Sequence, residues 1–278
     1  MNVVGIGGVG SKIAKHFEAY NQYKVFFIDH EDHGQNTYRI PKKNHPEDYE
    51  SQDYDWSTLV DNLDEEPVLL IVCGGSYSSA IILKLAQELA NKEVIIIYVK
   101  PDTSMLNATR QMHEKVVFGV LQHYVRSGKM SRIYLFDNQE IEKSIGDIPI
   151  MGYWDQINNT IAYVVHMINV FAHNKPIIGA LEQPRDTCRI TAVGSKNVVN
   201  GEEKMFFPLA NARELCYIYA INEENLKKSN KLHLQIKEDL KAKIVDDQTV
   251  SFGIFPTKYD RDFAYVIKHT SFVQDNQQ

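Results

Sequence analysis

Two turns rich in glycine and serine have the composition of phosphate-binding loops. The first runs from Gly5 to Ser11 (GIGGVGS), after a short apolar strand pattern and before a helical one. The second runs from Cys73 to Ser79, after an apolar strand pattern that starts at Val68. A buried strand that ends in such a turn and leads into a helix directs N–H groups and hydroxyls towards one point, as anion binding requires. For the second turn taken alone, a tight strand-to-helix connection without a ligand is the simpler interpretation.

An acidic residue follows a further buried strand pattern, Lys24–Asp29. In a dinucleotide-binding protein Asp29 holds a ribose, whereas elsewhere such a residue caps the next turn, and the sequence favours neither role. Residues 30–66 are polar, and we expect a long surface excursion with little regular structure. Its histidines lack a ligand spacing typical of metal sites, so we expect solvated side chains and no metal site; they are His30, His33 and His45.

Composition limits the classes of protein that fit. The 278 residues suffice for one large domain or two small ones, and the net charge of -6 argues against a surface that coats nucleic acid. The three cysteines are isolated, which disfavours disulfides and a zinc–thiolate site and fits a reducing cytoplasm. The first strand pattern begins at Asn2, so we expect no signal peptide, and no apolar run reaches the length of a membrane span.

The order of apolar segments predicts an α/β protein. Strand patterns alternate with helical ones along the first half of the chain, which is typical of a parallel sheet covered on both faces. A richly apolar helix is expected from Trp154 to about Phe171, and a long helix from about Met105 to Val125. The last two strand patterns, Val250–Phe255 and Phe263–His269, are predicted to form a hairpin in a smaller α+β domain.

These motifs, in this order, resemble the tubulin/FtsZ superfamily, including its phage and plasmid tubulin-like proteins, over nearly the whole chain. The second turn stands where that family carries its glycine-rich signature loop. The segment YVKP at Tyr98 resembles the strand-ending Thr-Lys-Pro of FtsZ, and LFDN at Leu135 resembles its Ile-Pro-Asn-Asp turn. The final two strand patterns resemble the last strands of the FtsZ C-terminal domain.

The resemblance implies a Rossmann-like, parallel-sheet nucleotide-binding domain at 1–152, a central helix at 153–175 and a smaller α+β domain at 176–278. It also implies that the protein binds GTP or GDP, with or without Mg²⁺. It further implies that subunits assemble head to tail into a homo-polymer. A heterologous contact of this kind does not close, so it propagates into filaments. The implied protein is cytoplasmic, does not associate with membranes, and reaches nucleic acid only through an adaptor.

Carried over residue by residue, the resemblance assigns phosphate contacts to the two turns and to Arg110. It assigns contacts with the guanine base to three residues. Asn138 lies in the turn that meets the base, Trp154 stacks on it, and the Asn158 amide, one helical turn later, hydrogen-bonds it. A structural role without a ligand explains Trp154 and Asn158 about equally well, with the tryptophan packed at a domain boundary and the asparagine at the start of a helix. The assigned turn residues are Gly7, Gly8, Gly10, Ser11, Gly74, Gly75, Ser76 and Ser78.

The sequence departs from the family pattern in two places that matter for catalysis. Tyr77 and Ser79 stand where the signature loop has glycine, and a Cβ there can block a close approach to phosphate. In the catalytic loop Asp186 matches one of two family aspartates, Gln183 occupies the position of the other, and Glu182 substitutes only after a register change. We therefore expect weak or no GTP hydrolysis, and assign Asp186 and Glu182 as the candidate catalytic residues.

Two other classes remain open on the residues alone. An adenylating enzyme of the ThiF and ubiquitin-activating type, using ATP, has a glycine loop, an acidic strand end and an Asn-x-x-Arg, here Asn36-x-x-Arg39. The Asn-x-x-Arg lies one residue nearer Asp29 than expected, and the chain has no C-x-x-C pair. A dinucleotide-dependent enzyme needs a catalytic acid or base, yet the histidines of the second half are scattered without a partner pattern.

Overall fold

The computed structural model describes residues 1–228, 231–245 and 248–273. The chain forms two compact units, Met1–His166 and Met167–Gln278. The division falls inside one long helix, Tyr153–Ala172. The domain limits expected from the sequence stay a prediction.

The first unit alternates strands and helices. Its strands are β1 (Asn2–Ile6), β2 (Lys24–Asp29), β3 (Thr37–Arg39), β4 (Val68–Cys73), β5 (Val94–Lys100) and β6 (Arg132–Asp137). Its helices are α1 (Gly7–Lys15), α2 (Pro46–Ser51), α3 (Ser57–Asn62), α4 (Ile81–Glu88), α5 (Ala108–Arg126), α6 (Asn138–Ile145) and the start of α7 (Tyr153–Ala172). Short 3-10 turns cover His16–Ala19, Tyr77–Ala80 and Thr103–Met105.

The strands of this unit form a parallel sheet in the order β3-β2-β1-β4-β5-β6, as the sequence predicts. Every residue of β1 and β4 is buried, because helices cover both faces of such a sheet. The carboxyl ends of the strands therefore lie at one edge, where the predicted site residues follow them. The helix expected from about Met105 begins later, since the Asn107 side chain accepts the N–H of Arg110 and caps α5.

The expectation of little regular structure in residues 30–66 is wrong. This segment contains β3, α2 and α3, and five of its aromatic and aliphatic side chains are buried: Ile40, Tyr49, Trp56, Leu59 and Leu63. Each is separated from the next by polar residues, so the segment has a polar composition. Burial of these few large side chains is what holds the short helices in place.

The second unit contains the remaining elements. Its strands are β7 (Ile178–Ala180), β8 (Ile190–Lys196), β9 (Glu203–Met205), β10 (Glu214–Asn222), β11 (Thr249–Thr257) and β12 (Phe263–Thr270). Its helices are the end of α7, α8 (Glu223–Lys228) and α9 (Lys231–Lys243). Ile236 and Leu240 of α9 belong to the same buried cluster as Tyr217 and Tyr219 of β10.

The predicted hairpin of the last two strands is wrong. The order is β8-β12-β10-β11-β7, with β9 paired to β8, so β10 lies between β11 and β12. Strand β11 pairs in parallel with β10, and β12 pairs antiparallel with β10 and β8. The five-residue connection Lys258–Asp262 therefore crosses one strand instead of making a hairpin turn.

Two further features bear on function. No helix in the described parts of the chain combines the length and the apolar character needed to cross a membrane. Cys73, Cys188 and Cys216 are free and buried, so none of them forms a disulfide.

Candidate functional site

The two glycine- and serine-rich turns lie side by side in the first unit. They follow β1 and β4, which are parallel neighbours with Ile6 opposite Val72. Gly7, the first residue of α1, has a φ of +69°, and a Cβ on it would overlap the Ser78 hydroxyl. Only glycine combines that backbone conformation with that close approach. The turns are therefore packed directly against each other.

The amino terminus of α1 provides donors at this place. The first N–H groups of any α-helix lack partners within the helix, and the N-cap residue of α1, Ile6, provides no side-chain hydrogen bond to them. Gly8 lies in the first turn of α1, and a Cβ built on Gly8 would be 3.9 Å from Asp29 Oδ2 at the end of β2. Helix α1 thus begins with unsatisfied donors beside the second turn, as an anion site requires.

Gly10 and Ser11 face the sheet. A Cβ on Gly10 would overlap the carbonyl oxygen of Ile71, so glycine is needed for close packing of α1 on β4. Ser11 is fully buried, and its hydroxyl donates to the carbonyl oxygen of Gly5, 3.3 Å away. Both residues fix α1 against the strands, while their assigned phosphate contacts stay predictions.

Hydroxyl groups shape the second turn. Ser76 Oγ and Ser78 Oγ are 2.7 Å apart, and the Ser79 hydroxyl donates to the Ser76 carbonyl oxygen at 2.6 Å. The latter bond orders Ser79, one of the two residues that replace family glycines. Ser76 and Ser78 are thus brought together next to Gly7.

The glycines of the second turn pack against β5 and the segment after it. A Cβ on Gly74 would overlap the hydroxyl of Tyr98, and one on Gly75 would lie 2.9 Å from Pro101 Cγ. The Tyr98 hydroxyl donates to the buried carboxylate of Glu114 at 2.6 Å, and burial raises the pKa of Tyr98 well above its usual value. The Gly-Gly pair therefore has a packing role besides its predicted phosphate role.

Helix α5 holds the second turn from outside. The Arg110 guanidinium lies 5.1 Å from the centre of the Tyr77 ring, a cation–π contact. The Nε2 of His113 lies 3.0 Å from the Ser76 carbonyl oxygen and 2.9 Å from Ser79 Oγ. Burial lowers the pKa of His113, which favours the neutral ring. His113 was not among the residues predicted from the sequence, and its signal was the three-residue spacing from Arg110 on one helix.

Polar side chains end β5 and β6 at the same sheet edge. Lys100 Nζ is 3.4 Å from Asp137 Oδ2, and burial raises the pKa of Asp137 while Lys100 opposes that shift. Asp137 caps α6 by accepting the N–H of Gln139 at 3.0 Å. Asn138, the first residue of α6, is 8% exposed, and its buried Oδ1 has no hydrogen-bond partner among the described residues. A buried acceptor without a donor requires an explanation, and a ligand provides one.

The other two base-contact candidates differ in exposure. Trp154 is 59% exposed and meets the Tyr153 ring edge-on at 5.0 Å, whereas Asn158 is buried. Burial and a hydrogen bond to the Glu142 carboxylate raise the pKa of Tyr153 to about 12. Tyr153 thereby links the start of α7 to α6, and leaves the Trp154 ring accessible.

The candidate catalytic residues lie in the second unit, between β7 and β8. The Asp186 side chain is almost fully exposed and pairs with Arg189 at 3.0 Å. The neighbouring Arg185 pairs with Glu214 of β10 at 2.6 Å, which ties the loop to the sheet. Glu182 lines a cavity of about 160 Å³ that Arg185 and Glu214 also line. Both carboxylates are exposed, and Glu182 lies beside the Arg185–Glu214 pair.

The histidines after β2 are not all solvated, which corrects the expectation from the sequence. Asp29 is 1% exposed, and its two carboxylate oxygens contact His30 Nδ1 at 2.8 Å and His33 Nε2 at 2.6 Å. The His33 side chain is only 8% exposed, while His45 is exposed as expected. Both oxygens of Asp29 are thus occupied by partners from its own loop.

Comparisons with known proteins identify the fold. No protein-family model and no curated protein sequence matches the chain. Three solved structures that align with it are TubZ of Bacillus thuringiensis serovar israelensis in a GTPγS-form protofilament, FtsZ of M. jannaschii in an empty dimer, and GDP-bound CetZ1 of Haloferax volcanii. Their TM-scores are 0.73, 0.71 and 0.67, at identities of 14%, 9% and 16%. The alignments cover 98%, 97% and 99% of this chain and 87%, 87% and 95% of the three structures.

The chain therefore has the tubulin/FtsZ fold, which confirms the resemblance and the fold class predicted from the sequence. At these identities the comparisons establish the fold alone, and function has to be argued from the residues of the site.

Proposed function

We propose that this protein binds a guanine nucleotide at the strand edge of its first unit and assembles head to tail, with weak or no hydrolysis. The observation that carries the proposal is the direct packing of the Gly7 turn against Ser76 and Ser78 at the unsatisfied amino terminus of α1. Backbone N–H groups and two hydroxyls at one place are suited to a nucleotide phosphate.

The base end supports guanine. The orphaned Oδ1 of Asn138 is an acceptor, and the Watson–Crick edge of guanine presents N–H donors. The exposed ring of Trp154 offers a stacking surface, and Asn158 lies one helical turn later as a second amide. These side chains fit the nucleotide that the tubulin/FtsZ resemblance implies, GTP or GDP, with Mg²⁺ bound through the phosphates.

Weak hydrolysis follows from the catalytic loop. Asp186 matches one of the two family positions and Gln183 replaces the other, while Glu182, which is also exposed, lines the cavity beside Arg185 and Glu214. An amide does not accept a proton or bind a cation as a carboxylate does. The loss of one of two cooperating carboxylates lowers a turnover rate by orders of magnitude.

Assembly is proposed from the fold and the exposed loop. The TubZ structures are of protofilaments and of two- and four-stranded filaments. We infer a corresponding homo-polymer for this chain, in which the loop carrying Asp186 meets the nucleotide of the next subunit. We also propose that the protein acts in the cytoplasm and that a phage or plasmid genome encodes it.

Nucleotide titration followed by tryptophan fluorescence tests the binding proposal. Trp154 is exposed and Trp56, the other tryptophan, is 5% exposed, so a base that stacks on Trp154 quenches a single accessible fluorophore. We expect GTP and GDP to quench and ATP not to. Trp154→Phe is the matched control, because it removes the signal and keeps Trp56. Quenching by ATP alone supports the adenylating-enzyme alternative, and no response to any nucleotide refutes binding.

Negative-stain microscopy and sedimentation velocity test assembly separately. We expect filaments with GTP or a slowly hydrolysed analogue at micromolar protein. A chain that stays monomeric with GTP, GDP and the analogue refutes the assembly proposal without affecting the binding proposal.

A further inference from the structure

The segment after β2 gathers metal-ligating side chains that the nucleotide proposal does not use. It reads Asp-His-Glu-Asp-His from Asp29 to His33. One ligand atom each of Asp29, Glu31 and His33 lie within 4.8 Å of one another. Asp29 is almost fully buried, the His33 side chain is 8% exposed, and the Glu31 side chain is 63% exposed. The group is thus a recess with a buried base and one solvent-facing carboxylate.

Hydrogen bonds of the turn hold His33 over Asp29. The N–H of His33 donates to Thr37 Oγ1 at 3.1 Å, and the N–H of Gly34 donates to Asp32 Oδ1 at 2.9 Å. Gly34 has a φ of +108°, which lets the chain reverse directly after His33. The backbone of His33 is therefore held by contacts of the turn that do not involve Asp29.

We propose that Asp29, Glu31 and His33 form a binding site for a divalent transition-metal ion of the zinc or cobalt class, with water at the remaining positions. One imidazole with two carboxylates is a donor set that Zn²⁺ and Co²⁺ accept, whereas Mg²⁺ prefers oxygen ligands alone. The site needs no nucleotide, and its presence or absence leaves the nucleotide proposal unchanged.

The distances suit such an ion after a small adjustment. His33 Nε2 and Asp29 Oδ2 are 2.6 Å apart, and two ligand atoms on one zinc lie roughly 3 Å apart given its usual bond lengths. Glu31 is exposed, and its ion pair with His30 Nε2, at 3.8 Å, is long enough to give way as the carboxylate closes on the ion. On the opposite side, His30 Nδ1 contacts Asp29 Oδ1 at 2.8 Å and the His30 N–H donates to the same oxygen. This arrangement orients the carboxylate as outer partners of metal ligands do.

The test uses the full-length chain, freed of metal with a chelator and kept without nucleotide. It is titrated with CoCl₂, following visible absorption, and with ZnCl₂ by calorimetry. We expect one equivalent of Co²⁺ to bind, a visible band to appear, and Zn²⁺ to displace it. Glu31→Gln should weaken binding at least about tenfold, because it removes a charged ligand at an exposed position without disturbing the core.

Controls separate this site from other histidines and from folding. His45→Ala, at an exposed histidine in the same polar segment, should bind as the parent chain does. His33→Ala should abolish binding, and circular dichroism shows whether that variant folds; Glu31→Gln keeps the test valid if it does not. Absence of stoichiometric binding, unchanged binding by Glu31→Gln, loss in His45→Ala, or displacement of Co²⁺ by equimolar Mg²⁺ each overturns the proposal.

Discussion

Replacement of Gly7 by alanine should be one of the most costly small substitutions in the first unit. Two penalties combine at this residue. A non-glycine residue in the left-handed region costs roughly 1–2 kcal/mol, and the φ of Gly7 is +69°. The new methyl would also overlap the Ser78 hydroxyl, and overpacking of this kind costs about 1–3 kcal/mol. The free energy of unfolding should therefore fall by about 2–5 kcal/mol.

A second substitution separates the two penalties. In Gly7→Ala with Ser78→Ala the overlapping oxygen is gone, and the next atoms are Ser76 Oγ at 3.2 Å and Ser78 Cβ at 3.5 Å from the new methyl. The double variant should recover about 1–3 kcal/mol relative to the sum of the single variants. Gly128→Ala is the matched control, because its φ is +79° and no atom lies within 4 Å of a Cβ there. It should cost the backbone penalty alone, about 1–2 kcal/mol.

Urea denaturation followed by circular dichroism measures all four variants, and the fluorescence titration measures nucleotide affinity in those that fold. Equal costs for Gly7→Ala and Gly128→Ala would refute the contact between the two turns. Additive effects of the Gly7 and Ser78 substitutions would lead to the same conclusion. The proposed phosphate site would then lose its principal structural support.

Three further predictions follow from buried polar groups. Asn138→Ala should weaken guanine-nucleotide binding about tenfold, the value of one hydrogen bond, as measured by titration. It should barely change the free energy of unfolding measured by denaturation, because Asn138 Oδ1 has no partner among the described residues. His113 has a pKa below its ordinary 6.5 through burial, so the unfolded chain takes up a proton at higher pH than the folded chain. Stability should therefore fall as the pH drops below 6.5, and His113→Gln should reduce that slope in urea denaturation from pH 8 to 5. Lys196→Met should cost about 1–3 kcal/mol in the same assay, since it removes a buried ammonium 3.3 and 2.9 Å from the carboxylates of Glu203 and Asp239. The cost is limited because Lys243 still pairs with Glu203 at 3.1 Å; an unchanged free energy of unfolding would contradict the reasoning.

Local patterns were sufficient for the strands of the first unit. Continuous apolar runs such as those of β1 and β4 identify strands buried on both faces, and the helices between them require parallel pairing. The same patterns were insufficient for β11 and β12. Adjacent strands in a sequence pair often, but β10 lies between these two and pairs with nine residues of β11 and seven of β12. Apolar periodicity carries no information about such a choice of partner.

The sequence predicted which residues the two turns contain, but not which contacts those residues make. Glycine in the first turn was expected for a phosphate approach, yet Gly10 serves the packing of α1 on β4. His113 was not predicted and His33 was expected to be solvated, because their partners, Ser76 and Asp29, are reached only through helix packing and a chain reversal. A side chain's partner across the fold leaves no mark at its own position in the sequence.

The sequence by itself determined the order of strands and helices, the two turns beside the sheet edge and the likeness to the tubulin/FtsZ fold, because these depend on apolar periodicity and on glycine placed next to strands. Only the tertiary structure decided that Gly7 packs against Ser78, that Asn138 buries an acceptor without a donor, and that Asp29, Glu31 and His33 converge. Each of those facts depends on the distance between groups from different turns or reversals of the chain. Such distances are fixed by packing of the whole unit, and local composition does not encode them.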